Sequence, residues 1–495
     1  MDILTLLVVI PVLTMIGLFF ANDLPKARII SAIGMGIELI LSFVLVYLYY
    51  KERNAGNMEQ YLFQIDYVWY SALNIHYFVG VDGIAVAMIM LTSIVIFAGV
   101  FASWKMEYLS KEFFISLILL VSGVYGFFIS LDLFTMFLFY EVAVIPMYLL
   151  IGIWGSGPKE YSAMKLTLML MGASAFLLVG ILGIYFYSAD AGGQLTFNIL
   201  DIAKHKMPIE AQRFFFPLTF VGFGVLGALF PFHTWSPDGH ASAPTAVSML
   251  HAGVLMKLGG YGALKVAMFL MPDAAQEMAW IFLILTGISV VYGAFGAIVQ
   301  TDLKYINAYS SVSHCGLVLF AVLMMNKTAM NGAVMQMLSH GLMTALFFAL
   351  IGMIYGRTHT RLISQMGGLM KIMPFLAVSW VIAGFASLGL PGLSGFVAEM
   401  TIFVGAFQHV DMFHRVFTIA ACASIVITAV YILRVVGKIL FGPVIDEHHL
   451  HLTDATWYEK LTIITLIVSI AFIGILPSIA SSLINEGLSS IVAKF

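Results

Sequence analysis

The sequence predicts an all-α integral membrane protein that crosses the bilayer about fourteen times. Of its 495 residues, 61% are hydrophobic and only 10% are charged, against roughly 25% charged residues in an average globular chain. The mean hydropathy is +1.00, and apolar windows of about 20 residues follow one another along the chain. The net charge of −3 argues against a nucleic-acid-binding surface, which would be basic.

The apolar windows give fourteen predicted spans, separated by short polar connections. Asp2 stands where a signal peptide would carry positive charge, so the first apolar segment is predicted to be retained as a span. The connections 51–77 and 188–212 are the longest, and both are too short for a soluble catalytic domain. The predicted spans are 3–21, 29–50, 78–104, 113–131, 133–155, 163–187, 213–233, 243–270, 278–299, 303–325, 330–356, 373–410, 413–440 and 461–484.

Two of these spans are predicted to be broken. Between Gly222 and Gly262, an apolar helix is interrupted by Pro231, Pro237 and Pro244 and then resumes. The window 373–410 is too long for one straight crossing and contains the run LGLPGLSG. Broken backbone inside hydrocarbon is tolerated only where protein or a wet cavity satisfies its free polar groups.

The two breaks lie about 160 residues apart, five spans later in the order, which predicts a repeat of five helices. An odd number of spans makes the copies inverted, and inverted repeats with broken helices are typical of transporters. We therefore predict three N-terminal helices in 1–110, a first, proton-translocating repeat in 111–271, an inverted second repeat in 272–440, and a loop with a last helix in 441–495.

Lysine and arginine are modestly enriched in the connections on one side of the predicted spans. This bias places the N terminus on the outer side of the membrane. The same orientation puts Lys304 in an inner connection and Lys265 at an outer end.

Three ionisable residues inside predicted spans stand out: Glu141 in FLFYEVAVIPMY, Lys257 in HAGVLMKLGGYG, and Glu399 just after the second break. A charge at a helix centre costs ~2.5–3.5 kcal/mol on insertion scales, so each is a functional candidate. When buried, such groups can be tuned to exchange a proton near neutral pH. The alternatives are ion pairs that serve folding only and, for Glu399, a charge that satisfies a helix start.

Several histidines accompany these charges. His314 and His340 lie in apolar spans, and His251 precedes Lys257 by six residues. A lone buried histidine is more often a packing residue, but several near lysine and glutamate favour a proton relay. His233 and His240 bracket the first break and are expected to fix the loop.

Other features of the sequence indicate no cofactor in this chain. Cys315 and Cys422 are far apart in apolar runs and are expected to be inert buried thiols. The histidine-rich run 446–451 resembles a metal site, but we expect a solvated loop. Nucleotide-binding, haem and iron–sulfur patterns are absent from the sequence, so the energy for transport must come from a partner protein or an ion gradient.

Five runs of the sequence closely resemble the antiporter-like subunits of respiratory complex I, over roughly residues 80–440. Among the three subunits of this type they resemble subunit M (subunit 4), because Glu399 stands where the sister subunits L and N carry a lysine. The runs are FPFHTWSPDGHASAPTAVSMLHAGVLMKLGGYG, TDLKYINAYSSVSHCGLVL, QMLSHGL, FLFYEVAVIPMYLLIG and LGLPGLSGFVAEMTIFVGAF.

The resemblance implies a proton-translocating membrane subunit of an enzyme that reduces quinone with NADH or another donor. It implies that Glu141 is the carboxylate of the fifth span, Lys257 the lysine of the eighth, His314 and His340 the histidines of the polar axis, and Glu399 the terminal carboxylate. Flavin, iron–sulfur clusters and the quinone site would belong to partner subunits, and subunits L and N would be neighbours. The host would be a bacterial plasma membrane.

Three alternatives remain open at this stage. The chain could belong to a multi-subunit cation/proton antiporter or to a proton-pumping membrane hydrogenase complex, or it could be a structural scaffold.

The sequence departs from this family at one position. Members usually carry a lysine in the seventh span, paired with the carboxylate of the fifth, and Leu226 stands there in this chain. We hypothesise that His251, or water, takes over part of the role of that lysine. The rival hypothesis is that the subunit has lost pumping and keeps a structural role.

Overall fold

The computed structural model describes residues 2–189 and 192–495, and most of them are helical. Helices satisfy their own backbone hydrogen bonds, which a chain inside hydrocarbon requires. Many of them begin at an aspartate or asparagine whose side chain accepts a backbone N–H of the first turn. These N-caps are Asp2, Asp23, Asp82, Asp132, Asn198, Asp302, Asn326 and Asp411.

Twenty α-helices follow one another in the described residues. The N-terminal part contains α1 Ile3–Phe19, α2 Leu24–Asn54, α3 Gly83–Ala102, α4 Ser110–Ile129, α5 Leu133–Trp154, α6 Lys159–Phe186 and α7 Ile199–Ile202. The middle part contains α8 Ile209–Leu226, α9 Trp235–Ser242, α10 Thr245–Leu250, α11 Met256–Gly262, α12 Pro272–Val299, α13 Leu303–Val322 and α14 Lys327–Thr358. The C-terminal part contains α15 Leu369–Ile372, α16 Pro374–Ser387, α17 Ser394–Ala406, α18 Met412–Leu440, α19 Trp457–Ile475 and α20 Pro477–Val492.

Ten of the described helices are long and apolar enough to cross a bilayer, and α1, α16 and α17 are shorter apolar helices. The prediction of a helical, multi-pass membrane protein is therefore confirmed. The count of fourteen crossings stays a prediction.

A β-hairpin interrupts the helices between α2 and α3. Strand β1 Leu62–Tyr70 pairs antiparallel with β2 Ile75–Val81, and its aromatic and β-branched residues are typical of strands. The sequence analysis treated 51–77 only as a connection and did not predict this hairpin. The third span also begins later than predicted, at Gly83, because Asp82 caps α3.

The first predicted break is confirmed. Helix α8 ends at Leu226, and α9 begins only at Trp235. Pro237 lies inside the first turn of α9, where proline removes no helical hydrogen bond.

The helix after this break contains two wider turns that the sequence did not predict. Residues His251–Leu255 and Ala263–Met268 form π-helical turns on either side of α11. Such turns are frequent at functional sites. Gly259 of α11 lies directly on α8, because a Cβ there would be 2.5 Å from the carbonyl oxygen of Phe223.

The second predicted break is confirmed, and the last predicted span is a shorter helix than predicted, α19. Between α16 and α17, Gly389 and Gly392 have φ values of +67° and +93°, which favour glycine. The predicted span 461–484 is divided by Pro477, which starts α20. Proline has no N–H to continue α19 but is tolerated at a helix start.

Candidate functional site

Lys257 and His340 form the centre of the site. Lys257 is 2% exposed, and its Nζ lies 2.8 Å from His340 Nδ1. The same Nζ donates a hydrogen bond to the carbonyl of Ala252, which lies in the first π-helical turn. Helices α11 and α14 thus bring together two residues that lie 83 positions apart in the sequence.

The line continues from His340 to Glu399. The rings of His340 and His314 are stacked with their centroids 5.1 Å apart. His314 Nδ1 lies 3.7 Å from Glu399 Oε1 and 3.0 Å from the side-chain nitrogen of Gln336. The four predicted residues therefore form one buried line across α11, α14, α13 and α17, which we call the central line.

A polar cluster that the sequence analysis missed extends from His340. His340 Nε2 lies 3.2 Å from the hydroxyl of Ser311. The Ser311 hydroxyl is in turn 3.3 Å from the hydroxyl of Thr344. The side-chain nitrogen of Asn307 donates to the same hydroxyl of Thr344. A cavity of about 20 Å³ adjoins Asn307 and another of about 10 Å³ adjoins Lys257, the size of a single water molecule.

Glu141 does not join the central line. It lies half-buried on α5, and its carboxyl group interacts with the hydroxyl of Ser174 of α6. No ion pair involves its carboxylate, and Oε1 has no hydrogen-bond partner among the described residues. Leu226, at the position of the missing lysine, is fully buried.

His251 lies in an aromatic cluster beside the central line. Its ring stacks on Trp235, with centroids 5.2 Å apart, and is 4.2 Å from the ring of His240. Neither ring nitrogen has a hydrogen-bond partner in the described part of the chain. The indole of Trp235 donates to the carbonyl of Val225, next to Leu226, so Trp235 connects His251 to the end of α8.

Two lysines that were predicted at the membrane surface are buried. Lys265 is 3% exposed and forms an ion pair with Asp82, which is fully buried. Lys304 donates a 2.6 Å hydrogen bond to the carbonyl of Ala243. The side of the membrane assigned to each lysine stays a prediction, whereas their burial inside the protein was not predicted. A signal was available for both, since they lie inside the predicted spans 243–270 and 303–325.

Glu38 is a further buried carboxylate that the sequence analysis missed. It is fully buried on α2, and neither carboxylate oxygen has a hydrogen-bond partner among residues 2–189 and 192–495. Its position in the middle of the predicted span 29–50 was the available signal.

The described residues contain one group of three side chains placed to share a metal ion, formed by His409, Asp411 and His414. The fold already accounts for it, since Asp411 caps α18 and His409 bonds the carbonyl of Met324. The run 446–451 does not form such a group in the described structure. Five of its six residues are exposed, as a solvated loop would be.

Residues 130–428 match the sequence model of the family described as "NADH:quinone oxidoreductase/Mrp antiporter, TM". The chain belongs to this family. It is 32% identical to NADH-quinone oxidoreductase subunit M of Rickettsia prowazekii, over 100% of this chain and 99% of that protein. It is also 33% identical to NAD(P)H-quinone oxidoreductase chain 4 1 of Microcystis aeruginosa, over 93% and 87% of the two. The predicted resemblance to subunit M is confirmed.

Solved structures share the fold. The chain superposes on a chain of respiratory complex I from Thermus thermophilus. The TM-score is 0.89, the identity is 23%, and the match covers 99% of both chains. It also matches a chain of an archaeal membrane-bound sulfane sulfur reductase, with a TM-score of 0.84, 20% identity and coverage of 99% and 97%. A chain of the Mrp complex from Dietzia sp. matches with a TM-score of 0.81 and 18% identity, covering 100% of this chain and 97% of that chain.

Proposed function

We propose that this chain is a proton-translocating membrane subunit of a complex I-type NADH:quinone oxidoreductase. The observation that supports this most strongly is the central line, in which buried lysine, histidine and glutamate side chains follow one another. Such residues inside a membrane protein mark proton relays. The relatives of known name support the enzyme class.

Proton transfer along the central line begins at Lys257. Its ammonium group donates to His340 Nδ1 across 2.8 Å, a direct hydrogen-bond distance. The stacked rings of His340 and His314 do not bond each other directly, so this step uses a bridging water or a ring rotation. His314 then delivers the proton to Glu399 across 3.7 Å, which a small side-chain movement closes.

Energy for transport comes from outside this chain. Moving one charge against 100 mV takes ~2.3 kcal/mol, and the sequence contains no pattern for binding a nucleotide or a redox centre. We propose that redox chemistry in partner subunits shifts the charge balance along the line. Flavin, iron–sulfur clusters and quinone would be bound by those partners, subunits of the L and N types would be neighbours, and the membrane would be the bacterial plasma membrane.

We further propose that His251 replaces part of the family's missing lysine. It lies close enough to Lys257 to interact with it electrostatically, and Trp235 links it to the end of α8, where Leu226 stands. Its ring is fully buried, and its two ring nitrogens have no hydrogen-bond partner in the described structure, so the proposed role requires a buried water molecule beside them. Glu141 is then a peripheral carboxylate that exchanges protons with the central line through water.

The two inverted repeats of five helices are also a proposal. Asp132 caps α5, and its backbone pairs with Asn198 in the connection between α6 and α8. Asp302 caps α13, and its backbone pairs with Leu362 in the connection between α14 and α16. This recurrence supports equivalent units in 111–271 and 272–440.

Replacing Glu399 with glutamine in the purified complex tests the proposed function. The complex is reconstituted in liposomes, and NADH-driven proton uptake is followed with a pH-sensitive dye. We expect uptake to fall strongly with Glu399→Gln and to stay unchanged with Glu160→Gln, which alters an exposed carboxylate. Equal proton uptake by the wild-type, Glu399→Gln and Glu160→Gln complexes would favour a purely structural role for this chain.

A cation/proton antiporter is the second candidate, favoured by the family description and by the likeness to the Mrp complex. It predicts sodium-dependent proton flux without NADH. A proton-pumping hydrogenase complex would instead couple uptake to hydrogen evolution.

A further inference from the structure

The ion pair of Lys265 and Asp82 is a buried charged site outside the central line. Lys265 is 3% exposed and Asp82 is fully buried, and their charged atoms are in direct contact. Lys265 Nζ also lies 3.4 Å from the hydroxyl of Tyr61 and 5.1 Å from the centre of its ring. Burying two charges is expensive even when they are paired, so the pair calls for a functional explanation.

The pair lies on the same helix as Lys257. Lys257, Tyr261 and Lys265 are four residues apart in turn, a spacing that places side chains on one helix face. Tyr261 is buried between the two lysines, and its hydroxyl donates to the carbonyl of Phe128. The second π-helical turn contains Lys265. A stripe of polar side chains therefore leads away from the central line.

The stripe reaches the protein surface on the far side of Asp82. Gly487 of α20 lies directly over Asp82, because a Cβ there would be 2.8 Å from Asp82 Oδ2. The preceding residue, Glu486, is 41% exposed and pairs with Arg53 at 3.0 Å. The hydroxyl of the buried Tyr49 lies 3.3 Å from Glu486 Oε2, and Tyr49 interacts electrostatically with Asp82.

We propose that Lys265 and Asp82 form a proton-transfer gate between Lys257 and the surface beside the β-hairpin. This inference rests on the proposed function. A proton leaves Lys265 Nζ for the Asp82 carboxylate, which leaves a neutral amine and a neutral acid. Asp82 passes the proton to the Tyr49 hydroxyl as that hydroxyl gives its own to Glu486, and Lys265 regains a proton from Lys257 through the Tyr261 hydroxyl and water.

The competing explanation is an ion pair that serves folding only. Either single substitution, Lys265→Gln or Asp82→Asn, leaves a lone buried charge and is expected to disturb assembly under both explanations. The double variant Lys265→Gln with Asp82→Asn removes both charges and keeps two neutral side chains that can bond each other. The two explanations therefore differ in what the double variant does.

The experiment compares the double variant with the wild-type complex in liposomes, at equal amounts of assembled complex. We expect the NADH-driven proton uptake to fall at least tenfold, because neither substituted side chain accepts or releases a proton. Uptake at the wild-type rate would show that the pair is structural and would overturn the proposal. The matched control is Arg213→Gln with Glu277→Gln, which removes an exposed ion pair.

A second variant keeps the proposal testable if the double variant fails to assemble. Tyr49→Phe removes the hydroxyl that lies 3.3 Å from Glu486 Oε2, together with the two hydrogen bonds that this hydroxyl accepts from Arg53, and it retains the buried ring. We expect a several-fold loss of uptake, and an unchanged rate would overturn the proposal. If Glu399→Gln loses proton uptake while the Lys265/Asp82 double variant and Tyr49→Phe retain it, the gate is rejected and the proposed function stands. If the wild-type complex itself shows no proton uptake, the proposed function is rejected.

Discussion

The region around Glu141 and the region from Lys257 to Glu399 both contain ionisable residues inside apolar helices, but only the second region joins them into a connected line. In the second region, buried ionisable groups on four helices follow one another at 2.8 to 5.1 Å. In the first region, Glu141 has no basic partner among the described residues, and the fully buried Leu226 stands where the family resemblance implies a lysine. A buried charge alone does not make a proton path, because each transfer requires a neighbour within hydrogen-bond or water-bridged reach.

The difference between the two regions follows from the helix that connects them. The first break and the two π-helical turns place Lys257 against α14, where it meets His340. The same segment places His251 against Trp235 and His240, near the end of α8. The chain thus has a connected line in one region and a group of aromatic and imidazole rings near the other.

The largest expected effect is that of removing the lysine of the central line. Lys257→Met keeps the size of the side chain but cannot carry a proton, so NADH-driven uptake should fall by roughly 100-fold. Lys105→Met, which changes an exposed lysine, should leave uptake unchanged. Normal uptake in Lys257→Met would remove the basis for the distinction between the two regions.

Loss of the imidazole beside Lys257 should have the next largest effect. His251→Ala removes two buried ring nitrogens that have no hydrogen-bond partner in the described structure, and we expect proton uptake to fall several-fold. The control is His448→Ala in the exposed loop. Unchanged uptake in His251→Ala would reject the hypothesis that this residue compensates for the missing lysine.

Restoring the lysine should change the importance of Glu141. In the wild type, Glu141→Gln is expected to slow uptake less than Glu399→Gln does, because Glu141 lies outside the central line. In a Leu226→Lys background, the same substitution should cost more, with a coupling of about 1–3 kcal/mol in a double-mutant cycle. Additive effects would show that the two positions are not paired in this fold.

The smallest expected effect concerns the link between the regions. Trp235→Phe removes the hydrogen bond to the Val225 carbonyl and should lower the free energy of unfolding by about 1 kcal/mol. Thermal unfolding of the chain in detergent measures this change. Trp280→Phe, at an exposed tryptophan, is the control and should leave the unfolding temperature unchanged.

Hydropathy and proline placement predicted the helices and both breaks, since these depend on local composition. The central line was predicted as a set of residues, but its contacts depend on how α11, α13, α14 and α17 pack. The burial of Lys265 was missed for the same reason, because Asp82 meets it from 183 residues away in the sequence. The π-helical turns and the hairpin also depend on long-range packing, which hydropathy does not record.

The continuity of the central line is tested most directly at His340, the residue that joins Lys257 to His314. The measurement is the number of protons taken up per NADH oxidised by liposomes that contain the His340→Leu complex. The account predicts that this ratio falls well below that of the wild type, although Lys257 and Glu399 are both present. A wild-type ratio would contradict it, because protons would then reach the other side without passing along this line.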